Sequence, residues 1–197
     1  MVLTGKEDLR VKKTVTAIKA AFEELICEKE YGQITVKELC DRAMVNKKTF
    51  YHYYPTLDDL LAEMQLELSA AYVERVKDYR LPEDLAQVNR EFFLYSIDQG
   101  LAYEKITCST GAYSQVRNSM IDSVVAQTWG KSRQFQALDP FRQGMLMHFI
   151  NTVSVGAYRQ WVEDGKRLSL EAVIDLTNRL ILQGTQGFFK QKEEGLP

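Results

Sequence analysis

Apolar residues recur at intervals of three or four along nearly the whole chain, whereas the alternating pattern of a β-strand is almost absent. Over residues 8–30, one helical face is formed by Val15, Ile18, Phe22 and Leu25. A helix with such a face must bury it against other helices, because apolar surface left in water forfeits the free energy of burial. The sequence therefore predicts an all-α fold, with about nine helices.

Capping residues mark the ends of these predicted helices. Thr35 begins a short second helix, and Glu38, three residues later, completes a capping box. Asn46 caps a third helix that ends before Pro55, and Thr56 caps a long fourth helix that continues to about residue 79. Further helices are predicted over residues 83–99, 102–109, 113–130, 140–164 and 170–190.

The composition is typical of a folded protein that stays inside the cell. Of the 197 residues, 45% are hydrophobic, and the 4 prolines are too few for a disordered chain. No apolar stretch is long enough to cross a bilayer, and residues 1–13 lack the order of a secretory signal. Without such a signal, Cys27, Cys40 and Cys108 are expected to be reduced thiols. We therefore expect a cytoplasmic protein with no membrane partner.

The net charge of −2 does not by itself suggest a nucleic-acid partner, but the charges are unevenly distributed. Residues 1–55 hold ten basic and eight acidic residues, whereas the remaining 142 residues hold fifteen and nineteen. Phosphate binding needs a local basic surface and not a basic protein, so this distribution permits nucleic-acid binding near the N-terminus.

The sequence offers little for catalysis or metal binding. It contains two histidines, and no spacing of cysteine and histidine suits a zinc site. Gly130–Lys131–Ser132 resembles the end of a phosphate-binding loop, but Val125 occupies the position that requires the first glycine. We expect no catalytic residues, no metal and no cofactor.

Residues 34–61 hold the pattern of a helix-turn-helix. Two short helices joined by a tight turn at Met44–Val45 cannot bury their own apolar faces, so they need the first helix as a third wall. The second short helix fits the width of a DNA major groove if its polar residues face outward. Phe50 and Tyr54, four residues apart, can face the core together. The remaining side chains, whose cationic and hydroxyl groups suit phosphate oxygens, are Lys47, Lys48, Thr49, Tyr51, His52 and Tyr53.

Over residues 11–61 the sequence resembles the TetR family of bacterial transcription regulators. The family signature runs approximately T-V-x-x-[IL]-[AC]-x-x-A-x-V-[SN]-x-x-T-[LF]-Y-x-[YH]-F. It is matched here by Thr35–Val36, Leu39–Cys40, Ala43, Val45–Asn46, Thr49–Phe50–Tyr51 and Tyr53–Tyr54. Met44 stands where the family usually has glycine, and Leu57 stands where many members carry a phosphate-contacting lysine.

The resemblance implies a homodimer whose paired recognition helices bind a palindromic operator in double-stranded DNA. It assigns DNA contacts to Thr35, Lys47, Lys48, Thr49, Tyr51, His52 and Tyr53, with Lys12 and Lys13 as accessory phosphate contacts. We accordingly predict a DNA-binding domain over residues 1–55 and a helical ligand-binding and dimerisation domain over residues 56–197.

The larger predicted domain supplies candidates for two further sites. Bulky residues that could line a ligand cavity, or that could simply form core, are Tyr72, Phe92, Tyr95, Tyr113, Trp129, Met145, His148 and Tyr158. The last two helices have broad apolar faces, which could pair across a twofold axis as a four-helix bundle or pack within one subunit. Their candidate dimer residues are Val153, Trp161, Val173, Leu180, Ile181 and Phe188.

Three functions are compatible with this sequence. The one that we favour is a transcription regulator, a repressor that a small-molecule effector releases from its operator by favouring a conformer with displaced recognition helices. The second is an activator or a partner-controlled regulator without a small ligand. The third is a helical dimer that has lost DNA binding.

Overall fold

The protein is an α-helical chain. A computed structural model describes residues 8–108 and 124–190, and no strand occurs within those two ranges, which confirms the all-α prediction. Its helices are α1 (Leu9–Glu28), α2 (Val36–Arg42), α3 (Lys47–Tyr53), α4 (Leu57–Val76), α5 (Leu85–Asp98), α6 (Gly100–Cys108), α7 (Arg133–Gln136), α8 (Pro140–Glu163) and α9 (Leu170–Lys190). Two short 3₁₀ helices lie at Tyr31–Gln33 and Trp129–Lys131.

The structure departs from the predicted helices in one region. Residues 113–123 of the helix predicted over residues 113–130 lie outside the described residues, residues 124–127 are helical as predicted, and the last two positions belong to the 3₁₀ helix at Trp129–Lys131. The short helix α7 then follows, because the Ser132 hydroxyl accepts a hydrogen bond from the Phe135 backbone N–H at 3.3 Å. The sequence pattern missed α7 because four residues are too few to show helical periodicity.

The chain divides into two compact units. The first contains the described residues up to Ser69 together with α6, and the second contains Ala70–Gln99 and residues 124–190. The first unit therefore extends past the boundary predicted at residue 55. Leu60, Leu61 and Met64 of α4 are buried in the same core as α1 to α3, which explains the difference. The functional division at residue 55 remains a prediction.

The core of the first unit is built by the helices that the sequence pattern required. Its fully buried side chains include Ile18 and Phe22 of α1, Leu39 of α2 and Phe50 of α3. A side chain such as Phe50, with none of its surface exposed, contributes about 2–3 kcal/mol of burial free energy. The short helices α2 and α3 are thus held by a core to which α1, α4 and α6 contribute.

The second unit is centred on α5, α8 and α9. Leu85, Leu146, Ile150 and Ile181 are buried in one apolar cluster. A polar network crosses the same helices: Asn89 Nδ2 donates to Asn178 Oδ1 at 2.9 Å, and the Ser154 hydroxyl donates to Asn89 Oδ1 at 2.8 Å. These buried polar groups are satisfied by one another, so they fix the register of the helices without the cost of an unpaired donor or acceptor.

No described helix combines the length with the apolar character that crossing a membrane would require. The side chains of residues 8–108 and 124–190 also include no group of three His, Cys, Asp or Glu placed to hold a metal ion.

Candidate nucleic-acid interface

Helix α2 begins after the N-cap residue Thr35 and ends at a tight turn, but only half of the predicted capping box is formed, because the Glu38 carboxylate pairs with Lys29. The Thr35 hydroxyl accepts a hydrogen bond from the Glu38 backbone N–H at 3.2 Å, which satisfies one of the N–H groups left unpaired at the start of the helix. At the other end, the Val45 N–H donates to the Cys40 carbonyl at 3.0 Å and closes the turn. Thr35 itself is exposed.

Met44 occupies the centre of this turn in the left-handed conformation. Its φ is 53°, a region that costs a non-glycine residue about 1–2 kcal/mol. The side chain is 92% exposed, so no packing contact offsets this conformational cost. The turn therefore keeps the backbone geometry that a glycine would adopt, even though a methionine stands at this position.

Helix α3 is anchored at both ends. Asn46 Oδ1 accepts from the Thr49 backbone N–H at 2.7 Å and from the Thr49 hydroxyl at 3.0 Å. Phe50 and Tyr54 are both buried, as predicted, and the Tyr54 hydroxyl donates to Glu63 Oε1 at 2.9 Å. These contacts fix which face of α3 points away from the core.

The outward face of α3 carries most of the predicted DNA contacts. Lys47, Lys48, Tyr51 and His52 are exposed, and Tyr51 has 53% of its surface accessible. Thr49 and Tyr53 are half-buried. Because the Thr49 hydroxyl already donates to Asn46, it must leave that partner in order to donate to a phosphate oxygen.

The lysines of this surface are free of ion pairs. Among the described residues, no carboxylate pairs with Lys47, Lys48 or Lys37, an exposed residue in the first turn of α2 that the sequence prediction missed. Nearby cations are instead neutralised, since Lys29 Nζ lies 2.6 Å from Glu38 Oε1 and Arg42 Nη1 lies 2.6 Å from Glu28 Oε1. The hydrogen bond from Arg42 lowers the pKa of the Glu28 carboxyl.

Lys12 and Lys13, the predicted accessory contacts, lie near the start of α1. Lys13 is exposed, whereas Lys12 is half-buried. Neither has a carboxylate partner among residues 8–108 and 124–190. Unpaired ammonium groups keep their full charge for phosphate and release counterions when they bind it.

A partly buried ionic network holds the C-terminal end of α3. Lys19 Nζ lies 3.0 Å from Glu63 Oε1 and 2.6 Å from Glu67 Oε1, and Glu63 also accepts from Tyr54. Burial, followed by the negative charge of Glu67, raises the pKa of Tyr54 from 10.0 to about 12. The two glutamates lie four residues apart on α4 and repel each other slightly, but no local pattern identifies Lys19 of α1 as the cation that pairs with them.

The predicted pocket residues fall into separate groups in the second unit. Tyr158 packs edge-on against Phe92 at 5.9 Å between ring centroids, Tyr72 lies 5.6 Å from Tyr95, and Trp129 packs on Phe135. Tyr113 lies outside the described residues.

Two of the predicted pocket residues lie on an exposed face. Met145 and His148 are exposed on α8, with half of the Met145 surface accessible, and their role in a pocket stays a prediction. The apolar stripe that suggested them is covered only along the face of Leu146, Met147 and Ile150.

The predicted dimer residues divide between buried and exposed positions. Trp161, Val173 and Ile181 are buried within their own subunit, and the Trp161 indole N–H donates to the Leu168 carbonyl at 2.9 Å. Val153 and Phe188 are half-buried against the same core. Leu180 is 60% exposed and is the one member of the predicted set on an open face. Other exposed apolar residues on α8 and α9 are Phe141, Met145 and Leu176.

Comparison with known proteins relates the helix-turn-helix segment to a family of regulators. Residues 18–64 match the family model described as "Bacterial regulatory proteins, tetR family". The chain is 22% identical over 174 residues to the uncharacterized HTH-type transcriptional regulator YxbF of Bacillus subtilis. That match covers 81% of this chain, and the chain spans 42% of the length of that relative.

Solved structures share the fold at low sequence identity. NalD of Pseudomonas aeruginosa, the secondary repressor of the MexAB-OprM multidrug efflux pump, superposes with a TM-score of 0.65 at 16% identity, covering 88% of this chain and 97% of NalD. FadR of Bacillus subtilis in complex with stearoyl-CoA gives 0.58 at 20% identity, covering 84% of this chain and 95% of FadR.

These relatives are regulators and not enzymes. The matched segment contains α2, α3 and the capped turn between them, which are the elements that the geometry singles out. Over residues 18–64 the chain therefore matches the tetR family of bacterial regulatory proteins, and its described helices share the fold of a solved tetR-family regulator.

Proposed function

We propose that the protein is a cytoplasmic transcription regulator that binds a palindromic operator through α3. The observation that carries this proposal is the outward face of α3, where Lys47 and Lys48 have no carboxylate partner among the described residues. A helix of this width fits the major groove, and unpaired lysines at its start suit the flanking phosphates. Phe50 and Tyr54 supply the rigid support that a groove-reading helix needs.

Selection from a random pool of duplex DNA tests this proposal. The purified protein should enrich one inverted repeat, because two copies related by a twofold axis present the same helix to each half-site. Lys47→Ala combined with Lys48→Ala should weaken binding to that sequence by more than about tenfold. The slope of the affinity against salt should fall by up to about four, one for each lysine of a dimer.

A matched control removes two lysines from the second unit. Lys77→Ala combined with Lys131→Ala lowers the net charge by the same amount and lies outside the proposed interface. This control should leave both the affinity and the salt slope unchanged. Selection that enriches no sequence would contradict the proposal and would leave a helical dimer without DNA binding.

The proposed homodimer is supported by exposed apolar side chains on the last two long helices. Leu176 and Leu180 lie one turn apart on α9 and are 50% and 60% exposed. Phe141 and Met145 lie one turn apart on α8 and are 75% and 50% exposed. Large apolar groups in such number on one pair of helices are typical of a protein–protein interface.

A small-molecule effector is proposed as the control of DNA binding. Its support is that FadR, which has the same fold, forms a complex with stearoyl-CoA. A thermal-shift screen that starts with acyl-CoA thioesters tests this, followed by a gel shift with each compound that raises the melting temperature. An effector should release the selected DNA, whereas a partner-controlled regulator would keep it bound in the presence of every compound.

A further inference from the structure

The second unit contains an open cleft that the proposed DNA interface does not use. Its volume is about 490 Å³, which lies in the range of small-molecule sites. One wall is the segment that joins α4 to α5, and the other contains the 3₁₀ helix at Trp129–Lys131 and the start of α7. We call it the Arg80 cleft. Its charged lining residues are Lys77, Asp78, Arg80, Glu83, Lys131 and Arg133.

Two arginines of this cleft differ from all the others described in the second unit. Six of those arginines have a carboxylate within 4.0 Å, and they are Arg75, Arg90, Arg142, Arg159, Arg167 and Arg179. Arg80 and Arg133 have no such partner among the described residues, and both line the cleft. The two described arginines of the second unit that lack a carboxylate partner therefore both lie at the cleft, where their guanidinium groups can bind an anion.

The remaining charged groups determine the net charge of the cleft. Lys131 also has no ion pair among residues 8–108 and 124–190, whereas Lys77 pairs with Glu74. Glu83 accepts a hydrogen bond from Gln134 Nε2 at 3.3 Å, and Asp78 lies on the same wall as Arg80. Four cations against two carboxylates give a positive cleft in a chain whose net charge is negative.

The neutral groups of the cleft include three hydroxyls. The Thr128 hydroxyl donates to the Val124 carbonyl at 2.7 Å, and the buried Ser132 hydroxyl accepts from the Phe135 N–H. Tyr79, 37% exposed, also lines the cleft, and its hydroxyl has no hydrogen-bond partner in the described part of the chain. Its hydroxyl is available to an oxyanion beside Arg80.

We propose that the Arg80 cleft binds a small molecule that carries several oxyanion groups, either phosphates or carboxylates. A guanidinium group presents paired N–H donors that match the two oxygens of a phosphate or a carboxylate, and two such groups favour a ligand with more than one anionic group. The inference does not depend on DNA binding, because it concerns residues outside the α3 surface.

Isothermal titration calorimetry of the full chain at low salt tests the proposal with two probes, inorganic pyrophosphate and citrate. Arg80→Ser combined with Arg133→Ser should weaken binding by about tenfold or more, since each lost contact is a charge-assisted hydrogen bond. Asp78→Asn should strengthen binding, because it removes a carboxylate from the wall. Binding of pyrophosphate alone identifies a phosphate site, and binding of citrate alone identifies a carboxylate site.

Two controls make the result specific to the cleft. Arg142→Ser combined with Arg167→Ser removes the same charge from exposed arginines elsewhere in the unit and should change the affinity by less than about twofold. Lys47→Ala combined with Lys48→Ala should leave it unchanged. The proposal is overturned if neither probe binds, or if the Arg80/Arg133 variant binds as tightly as the Arg142/Arg167 variant.

Discussion

At the scale of single residues, Tyr54 connects the end of α3 to α4. Its ring is buried, and its hydroxyl donates to Glu63, which Lys19 of α1 also contacts. A buried carboxylate that loses one of its donors is left partly unsatisfied, so this hydroxyl stabilises the fold although it stands far from any groove contact. Tyr51, three residues earlier, has the same ring but holds it in solvent.

Tyr54→Phe should lower the free energy of unfolding by about 1–2 kcal/mol, whereas Tyr51→Phe should change it by less than about 0.5 kcal/mol. Urea unfolding of the two variants measures the difference. Equal effects would show that the hydrogen bond to Glu63 contributes nothing.

The raised pKa of Tyr54 adds a pH dependence. In the unfolded chain the phenol loses its proton near pH 10, whereas in the folded protein it keeps the proton to about pH 12. Its stabilising contribution is therefore complete below pH 10 and is lost as the pH rises from 10 to about 12. The wild-type protein should lose more stability over that window than Tyr54→Phe does.

Residue-level predictions from sequence succeeded where one helical face had to be buried. Phe50 and Tyr54 are buried and Tyr51 is exposed, because α3 is so short that only one face can reach the core. Met145 and His148 were predicted to line a pocket and are exposed, because periodicity shows which residues share a face and does not show what covers that face. The ionic network around Lys19 depends on three helices meeting, which no local pattern specifies.

At the scale of elements, a glycine of α9 lies against an aromatic ring of α8. A Cβ atom built on Gly184 of α9 would lie 2.5 Å from Phe149 Cζ of α8, well inside van der Waals contact. A Cβ atom built on Gly156, in the middle of α8, would have no neighbouring atom within 4 Å. A methyl group therefore fits at Gly156 but not at Gly184, although both glycines lie inside a helix.

Gly184→Ala should destabilise the protein by about 1–3 kcal/mol, because the Phe149 ring must shift to admit the methyl group. Gly156→Ala should stabilise it by about 0.5–1 kcal/mol, because alanine loses less backbone entropy in a helix. Thermal or urea unfolding of both variants tests this pair. A stabilising Gly184→Ala would mean that the two helices lie further apart than the structure shows.

Helix ends were largely predictable at this scale, because caps are local. Thr35, Asn46 and Asp139 each accept a hydrogen bond at the start of the helix that was predicted to follow them. The short helix α7 was missed, and its cap at Ser132 shows why, since a single serine without a periodic segment behind it carries no signal.

At the scale of the whole molecule, the number of copies decides whether a palindromic site can be read. The sequence predicted a dimer through the last two helices but assigned it partly to residues that face inward. Trp161, Val173 and Ile181 complete the subunit's own core, and the open apolar residues of α9 are Leu176 and Leu180. Sequence alone could not separate the two faces, because α9 has apolar residues on both.

Leu176→Ser combined with Leu180→Ser should convert the proposed dimer to a monomer in sedimentation experiments and should weaken binding to the selected palindrome by more than about tenfold. Leu168→Ser is a suitable control, because its side chain is 51% exposed on the loop between α8 and α9. A double variant that remains dimeric would place the interface elsewhere.

Oxidation of the exposed thioether of Met44 can report whether the neighbouring helix α3 is covered. With 92% of its surface in water, it stands two residues before the Asn46 cap and should react readily with dilute peroxide to give the sulfoxide. Duplex DNA seated on α3 would shield that sulfur, while the buried Met64 stays unreactive in either state. Mass spectrometry of the Met44 peptide would then report occupancy of the groove-facing surface without any label or substitution.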